Sequence, residues 1–375
     1  MSARVIVFGA TGYTGRLVAE ATTRAGLAPV LAGRNEEALV ELVGDLAGLG
    51  PFDAPPTWRT ADATDPESVL ALVDGPDDVL VSTVGPFLAF GRPAVDAALA
   101  RGCGYVDSTG EGPFLRTLFE DDHDVAVRAG ARMLPAFGYD FVPGNLAGAM
   151  AIKDAHDAGR SPTVVDIGYF TSGPMSMSSG TRATSAILAS QRPLARRNGR
   201  VVETSGSVST FEVAGRHLDG LLVGSSESFA LPRYAPDVRD VNTYLGWAGK
   251  WTKGAHRAGQ AVAGARRIPV IGRVVGAGLE RAGGAATGEG PRAEDRAKGR
   301  TVVVARTTDG VGRLLSEVRI EGPSPYDLTA ELMAWAAAML VTHRELATGV
   351  LGPVDAFGLD ALVSGCADMG LVRVA

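Results

Sequence analysis

An apolar run, Val5 to Phe8, passes directly into Gly9-Ala10-Thr11-Gly12-Tyr13-Thr14-Gly15, and no other stretch restricts the fold so tightly. A short apolar run bounded by glycine reads as a buried strand, and the pattern after Gly12 reads as a helix. A second strand, Val30 to Ala32, ends at Gly33-Arg34. Strand, glycine turn, helix and strand make the opening βαβ unit of a dinucleotide-binding sheet.

Each glycine has a chemical use. Aligned on the last of them, Gly12 and Gly15 fill the second and third positions of G-x-G-x-x-G, and Ala10 fills the first. Gly12 lets a pyrophosphate approach N–H groups at the helix start, where the dipole favours anions. Gly15 lets the helix pack closely on the strand. The expected contacts are therefore Gly9, Thr11, Gly12, Tyr13, Thr14 and Gly15. The plainer reading is a tight turn that binds nothing. The end of the second strand selects the cofactor. An NAD site usually carries Asp or Glu there for the ribose 2′-OH. Here the residues are Gly33, Arg34 and Asn35, and an arginine fork suits a 2′-phosphate. NADP(H) is the expected cofactor, held at its tail by Arg34 and Asn35; a solvated loop arginine is the alternative.

After Arg34, strand and helix patterns alternate as far as Pro135. This predicts an α/β fold, a Rossmann-type parallel doubly wound sheet. Helices are expected over Glu36–Leu46, Arg92–Arg101 and Phe114–Ala129, and from Asp65, whose carboxylate caps a helix opened by Pro66. Ligands of such sheets lie at the carboxyl ends of the strands. Four loops become candidates. Asp62-Ala63 follows strand three, where a carboxylate could bond an adenine amine. Thr83-Val84-Gly85-Pro86-Phe87 follows strand four, where the nicotinamide should lie. The third loop is Asp107 to Glu111, and the fourth is Gly138 to Gly144. Polar residues in such loops are otherwise caps and turn formers. Glu111 and Asp140 sit among glycines at the working edge and are the candidate catalytic carboxyls, with Tyr139 beside them.

Past Pro143 the pattern changes to short strands broken by glycine, a hairpin over Thr308-Asp309-Gly310, and a long helix from Pro325 to His343. We expect an NADP-binding Rossmann domain over 1–142, an α+β substrate or oligomerisation domain of mostly antiparallel sheet over 143–348, and a segment over 349–375 that packs back on the first domain. From 242 to 281 the chain carries seven basic residues and one acid, with Tyr244, Trp247 and Trp251 placed for one helical face. Such a stretch can lie on a membrane or receive an acidic carrier; a helix packed by its aromatics with solvated cations is the other reading.

Composition narrows the classes. A net charge of −6 argues against nucleic acid as a global partner. Only Cys103 and Cys366 are present, and the five histidines show no ligand spacing, so no metal site is expected. No run of 18 uncharged apolar residues occurs, and Met1 to Phe8 reads as a core strand rather than a signal peptide. A cytoplasmic protein is expected, with peripheral contact at the inner membrane face through 242–281 left open. A homodimer is compatible with the sequence.

Absent motifs narrow them further. No Tyr-x-x-x-Lys and no Gly-x-Ser-x-Gly occurs, which removes short-chain dehydrogenase and serine-hydrolase chemistry.

Gly-Ala-Thr-Gly-Tyr-Thr-Gly, Ala-Gly-Arg-Asn, Val-Gly-Pro-Phe, Tyr-Val-Asp-Ser-Thr-Gly-Glu and Gly-Tyr-Asp-Phe-Val-Pro-Gly, in that order, resemble the saccharopine-dehydrogenase-like oxidoreductases. With Ser179–Thr184, Pro325–Ala330 and Ala356–Leu359, the chain is most similar to the actinobacterial trans-acting enoyl reductase branch of lipid and polyketide synthesis. The resemblance implies NAD(P)H held between a Rossmann and an α+β domain. It implies an NADPH-dependent reductase of a C=C bond in a lipid- or carrier-linked acyl substrate. An imine or carbonyl reductase, or a silent NADP-binding or membrane-associated protein, are the alternatives. Where the family often has Gly-Phe-Asp-Ser-Val-Pro-Ser-Asp, this chain has Phe141, Gly144 and Asn145 in place of Ser, Ser and Asp. Those at 144 and 145 remove a hydroxyl and a negative charge.

Overall fold

The computed structural model describes residues 3–51, 55–173, 177–188, 192–246 and 289–374. Six strands, β1 (Val5–Phe8), β2 (Val30–Gly33), β3 (Thr57–Thr60), β4 (Val79–Ser82), β5 (Gly104–Asp107) and β6 (Arg132–Leu134), pair in parallel in the order 3-2-1-4-5-6. That is the order of a dinucleotide-binding sheet. All but the edge strand β3 are buried along their length, as helix-covered parallel strands must be.

The helices are α1 (Tyr13–Arg24), α2 (Glu36–Leu46), α3 (Pro66–Leu70), α4 (Phe87–Phe90), α5 (Arg92–Arg101), α6 (Gly112–Thr117) and α7 (His123–Ala129). Asp65 caps α3 by accepting from the Glu67 and Ser68 amides, and Asn35 caps α2 by accepting from Ala38 at 3.1 Å. The helix expected over Phe114–Ala129 is interrupted. A π-helical turn, Leu118–Asp122, separates α6 from α7. The wider turn carries Leu118, Phe119 and Asp122 inward together, and Asp122 meets Arg92 at 2.7 Å.

From the first sheet, α8 (Val142–Asp157) leads to β7 (Val164–Ser172), α9 (Ser179–Leu188), β8 (Leu194–Arg197), β9 (Arg200–Glu203), β10 (Val208–Val213), β11 (Arg216–Val223), α10 (Glu227–Tyr234) and β12 (Asp240–Leu245). Then come α11 (Ala293–Lys298), β13 (Arg300–Thr308), β14 (Leu314–Gly322), α12 (Pro325–Thr342), β15 (Gly349–Val350), α13 (Pro353–Phe357), α14 (Leu359–Asp368) and β16 (Val372–Val374). The second sheet runs β10-β11-β12-β7-β13-β14-β16, with the β8–β9 hairpin attached to β12. Its pairs are antiparallel except β7 with β12.

Two elements depart from expectation. Tyr244 is not on a helical face. It lies in β12 opposite Leu222, with its ring 5.7 Å from Phe211 in a satellite aromatic core. A β-branched and aromatic neighbourhood claims it for the sheet. Trp247, Trp251 and the basic residues of that stretch lie outside the described residues. The long helix α12 packs against α1 and beneath β4 and β5, so it covers the first sheet although the strands before it build the second. Trp335 of α12 stacks on Phe137, and Phe357 packs edge-on against both. One apolar core therefore runs continuously from Ile6 and Leu80, through Leu328 and Ala337, to Val165, Val303 and Ile320. The last elements serve both sheets: β15 pairs with β6, and β16 pairs with β14.

Candidate active site

The turn after β1 is built from close approaches. Gly9 has φ +86°, a left-handed conformation that disfavours side chains, and a Cβ on it would fall 2.8 Å from Thr83 Oγ1. A Cβ on Gly15 would fall 2.0 Å from the Gly9 carbonyl, so the helix can sit this close only with glycine there. Gly12 caps α1 without a side chain, which leaves the first-turn amides of the helix facing the turn. Backbone donors, a helix dipole and no side-chain screen fit a pyrophosphate.

The other expected cofactor residues are distributed as follows. Arg34 directly follows β2 and is exposed. Asn35 spends its side chain on the α2 cap. Asp62 Oδ1 accepts the amide and hydroxyl of Thr64, both at 2.8 Å; these bonds, with Arg34 nearby, hold the carboxyl below its ordinary value. Thr83 Oγ1 donates to the Phe8 carbonyl at 3.1 Å. Phe87 turns its ring into the core, 5.7 Å from Phe114.

A cleft opens where the carboxyl ends of β5 and β6 meet the second sheet. It encloses about 110 Å³ and is lined by Thr14, Ser108, Tyr139 and Asp140 on one side and by Thr181 and Tyr326 on the other. Thr14 belongs to the glycine turn, so the turn and the cleft share a wall. The far side is drawn in by hydroxyls: Tyr326 OH accepts the Ser178 amide at 2.8 Å and lies 3.0 Å from Thr181 Oγ1. The glycine turn is clasped from the same side. Tyr13 OH donates to the Pro291 carbonyl at 2.6 Å, its ring packs edge-on 5.1 Å from Tyr326, and Arg296 donates to the Tyr13 oxygen at 3.1 Å.

Of the candidate catalytic groups, Asp140 reaches the cleft. Its Oδ1 is buried and has no hydrogen-bond partner among the described residues. Burial pushes its carboxyl up to about 7. Tyr139 is buried beside it, its amide donating to Thr329 at 3.0 Å and its ring packed edge-on against Tyr169 at 5.4 Å. Glu111 is fully buried, and its two oxygens accept the amides of Phe87 and Leu88 at 2.8 and 2.9 Å. It anchors the start of α4 instead of facing the cleft. Asp107, also fully buried, accepts from the amides of Thr109 and Ala136 and from Tyr105 OH, tying the loop after β5 to the one after β6. Burial outweighs these bonds and pushes Asp107 up to about 6.

Beneath Tyr139 lies a pair the sequence does not announce. Tyr169 OH donates to Glu227 Oε1 at 2.8 Å and accepts the Gly144 amide at 2.6 Å. Glu227 is fully buried, its Oε2 has no partner among the described residues, and burial pushes it up to about 8. A Cβ on Gly144 would fall 2.1 Å from Glu227 Oε1 and 2.3 Å from Tyr169 OH. The space that a serine would need at 144 is thus filled by the Tyr169–Glu227 pair. Asn145 donates to the Phe141 carbonyl and to Ser226 at 2.9 and 3.0 Å, joining α8 to the head of α10. Among the described residues no cluster of three or more His, Cys, Asp or Glu side chains could hold a metal ion, and no helix is long and apolar enough to cross a membrane.

Comparison with known proteins adds relatives. No family model matches the chain. A Mycobacterium tuberculosis protein named as a candidate trans-acting enoyl reductase is 30% identical over 403 aligned positions, which cover 96% of this chain and 94% of that one. The trans-acting enoyl reductase of Mycobacterium leprae is 37% identical over 144 residues, 38% of this chain and 34% of that one. Apo saccharopine dehydrogenase (L-Glu forming) of Saccharomyces cerevisiae shares the fold at a TM-score of 0.57 and 13% identity, covering 100% of both chains.

Proposed function

The chain belongs to the trans-acting enoyl reductase branch of the saccharopine-dehydrogenase-like oxidoreductases, and from that membership we propose that it uses NADPH to reduce a C=C bond in a lipid- or carrier-linked acyl chain. The observation that carries the chemistry is the Asp140 carboxyl, whose Oδ1 is buried and unpartnered among the described residues, in a cleft that shares a wall with the glycine turn.

The first-turn amides of α1 hold the pyrophosphate, and Gly9, Gly12 and Gly15 keep its path clear. Arg34 takes the 2′-phosphate, with no carboxylate at the end of β2 to repel it. When bound, the nicotinamide supplies the hydride. Reduction of a double bond beside a carbonyl also needs a proton at the adjoining carbon. Asp140 carries one on its carboxyl below about pH 7, in a site where burial favours the neutral acid. Tyr139 packs beside it as the orienting group, and the Tyr326–Thr181 hydroxyls close the opposite wall. Glu111 acts one step removed, by fixing the loop that follows β4.

The test is NADPH consumption, followed by absorbance, with enoyl thioesters as substrates and imines and carbonyls as controls. Enoyl turnover is expected, and Asp140→Asn should lower kcat by about 10²–10⁴-fold while leaving NADPH binding intact. Turnover of imines or carbonyls in preference to enoyl thioesters would overturn the substrate class. NADPH binding without turnover of any of them would overturn the catalytic reading.

A further inference from the structure

A second and larger cavity, of about 510 Å³, shares no lining residue with the cleft. It lies between the α6 and π-turn segment, the β8–β9 hairpin and α10. Its apolar wall is a stacked ring pair, Phe119 on Phe229, with centroids 5.0 Å apart and planes within 8°. Four arginines line it, Arg116, Arg196, Arg200 and Arg233, against one carboxylate, Glu120.

Two of these arginines are already engaged. Arg116 pairs with Glu120 at 2.7 Å. Arg233 donates to the Val350 carbonyl at 2.7 Å, lies 3.8 Å from the Asp355 carboxylate, and covers the Phe119 ring. The other two are not. Arg196 Nε is buried without a partner, and the side chain's remaining bond is a 3.4 Å donation to the Ser228 carbonyl. Arg200 stands exposed at the tip of the hairpin, three residues after the strand position of Arg197. Among the described residues no carboxylate lies within ion-pair distance of Arg196 or Arg200. Burial pushes the Arg196 guanidinium down, the cost of a charge withdrawn from water without a counter-charge.

A partly desolvated guanidinium without a counter-charge, a second cation beside it and an aromatic wall behind make a receptor for an oxyanion attached to an apolar body. We propose that this cavity binds a soluble organic phosphate, with Arg196 and Arg200 taking the phosphate oxygens and the Phe119–Phe229 pair walling the organic part. The site is independent of the reductase reading and stands apart from the glycine turn.

The experiment is calorimetric titration of the full chain with NADPH in excess, so that nucleotide binding at the glycine turn is already saturated. The probes are inorganic pyrophosphate, coenzyme A, phosphate-free pantetheine, and vesicles of phosphatidylglycerol. Coenzyme A and pyrophosphate should bind and weaken with rising salt, and pantetheine should not bind. Arg200→Gln should weaken both by about tenfold, the loss of one charge-assisted bond, and Arg196→Gln combined with it should abolish binding. Arg200 is exposed and unpaired, so that variant keeps the wild-type melting temperature and decides the matter even if the double variant does not fold. Failure of both soluble phosphates to bind the wild type overturns the proposal. So does binding that Arg200→Gln leaves unchanged, or binding confined to vesicles.

Discussion

Tyr169 and Glu227, 58 positions apart in sequence, share a 2.8 Å hydrogen bond directly beneath the ring of Tyr139. The bond joins β7 of the second sheet to the head of α10, and through the Gly144 amide to the start of α8. Two carboxyls, Asp140 in the wall of the cleft and Glu227 behind Tyr139, are thus each pushed up by burial, to about 7 and about 8.

Stability should therefore fall as pH rises. In the unfolded chain both groups titrate near pH 4. Between that pH and their folded values, the folded protein holds protons that the unfolded chain has released, so their contribution is full at low pH and gone above about pH 8. The melting temperature should drop between about pH 5 and about pH 9, as the unfolding free energy falls by up to about 1.4 kcal/mol per pH unit for each group. Asp140→Asn and Glu227→Gln should each flatten it. A flat wild-type profile would mean that both carboxyls are ionised in the fold.

Gly144→Ala should destabilise the protein by about 1–3 kcal/mol, because the added methyl group enters space held by Glu227 and Tyr169. Urea unfolding measures it. The same substitution in a Glu227→Ala background should cost less, since the nearest clashing atom is gone. Equal costs in the two backgrounds would refute the clash.

Arg34→Ala should weaken NADPH by about 1.5–3 kcal/mol, as for a hydrogen bond to a charged group, and leave NADH nearly unchanged. Fluorescence titration of the two cofactors checks it. Equal affinity for both cofactors in the wild type would mean that Arg34 meets no 2′-phosphate.

Tyr13→Phe removes the bond to the Pro291 carbonyl and the acceptor for Arg296, while keeping the ring against Tyr326. Amide exchange over 289–298 should quicken by about 0.5–1.5 kcal/mol of protection. Unaltered exchange would show that Arg296–Asp327, at 2.7 Å, holds that segment without help.

The first sheet was legible because its determinants are local. Gly9, Gly12 and Gly15, the Asp65-Pro66 cap and the apolar runs each act within a few residues. Asp140 and Glu111 show where legibility stops. Both are acids among glycines at the ends of strands, and sequence treats them alike. What separates them is whether a backbone amide points at the carboxylate, and the amides that meet Glu111 come from Phe87 and Leu88, more than twenty positions earlier. Glu227 and Tyr169 gave no local signal, because their partnership exists only once β7 and α10 are packed. The far wall of the cleft left a trace in Ser179–Thr184 and Pro325–Ala330, the stretches that hold Thr181, Tyr326 and Thr329. Their roles emerged only with the packing of α12 on α1.

The placement of β15 and β16 has a consequence for biogenesis. One closes the edge of the parallel sheet and the other the edge of the antiparallel sheet, and both come from residues after 348. The parallel sheet gains β15 only once Val350 has cleared the ribosome, and the second sheet gains β16 only once Val374 has. The nascent chain therefore emerges with two unpaired edges, each a template for mispairing. Each edge is sealed late, the parallel sheet's first and the second sheet's after it.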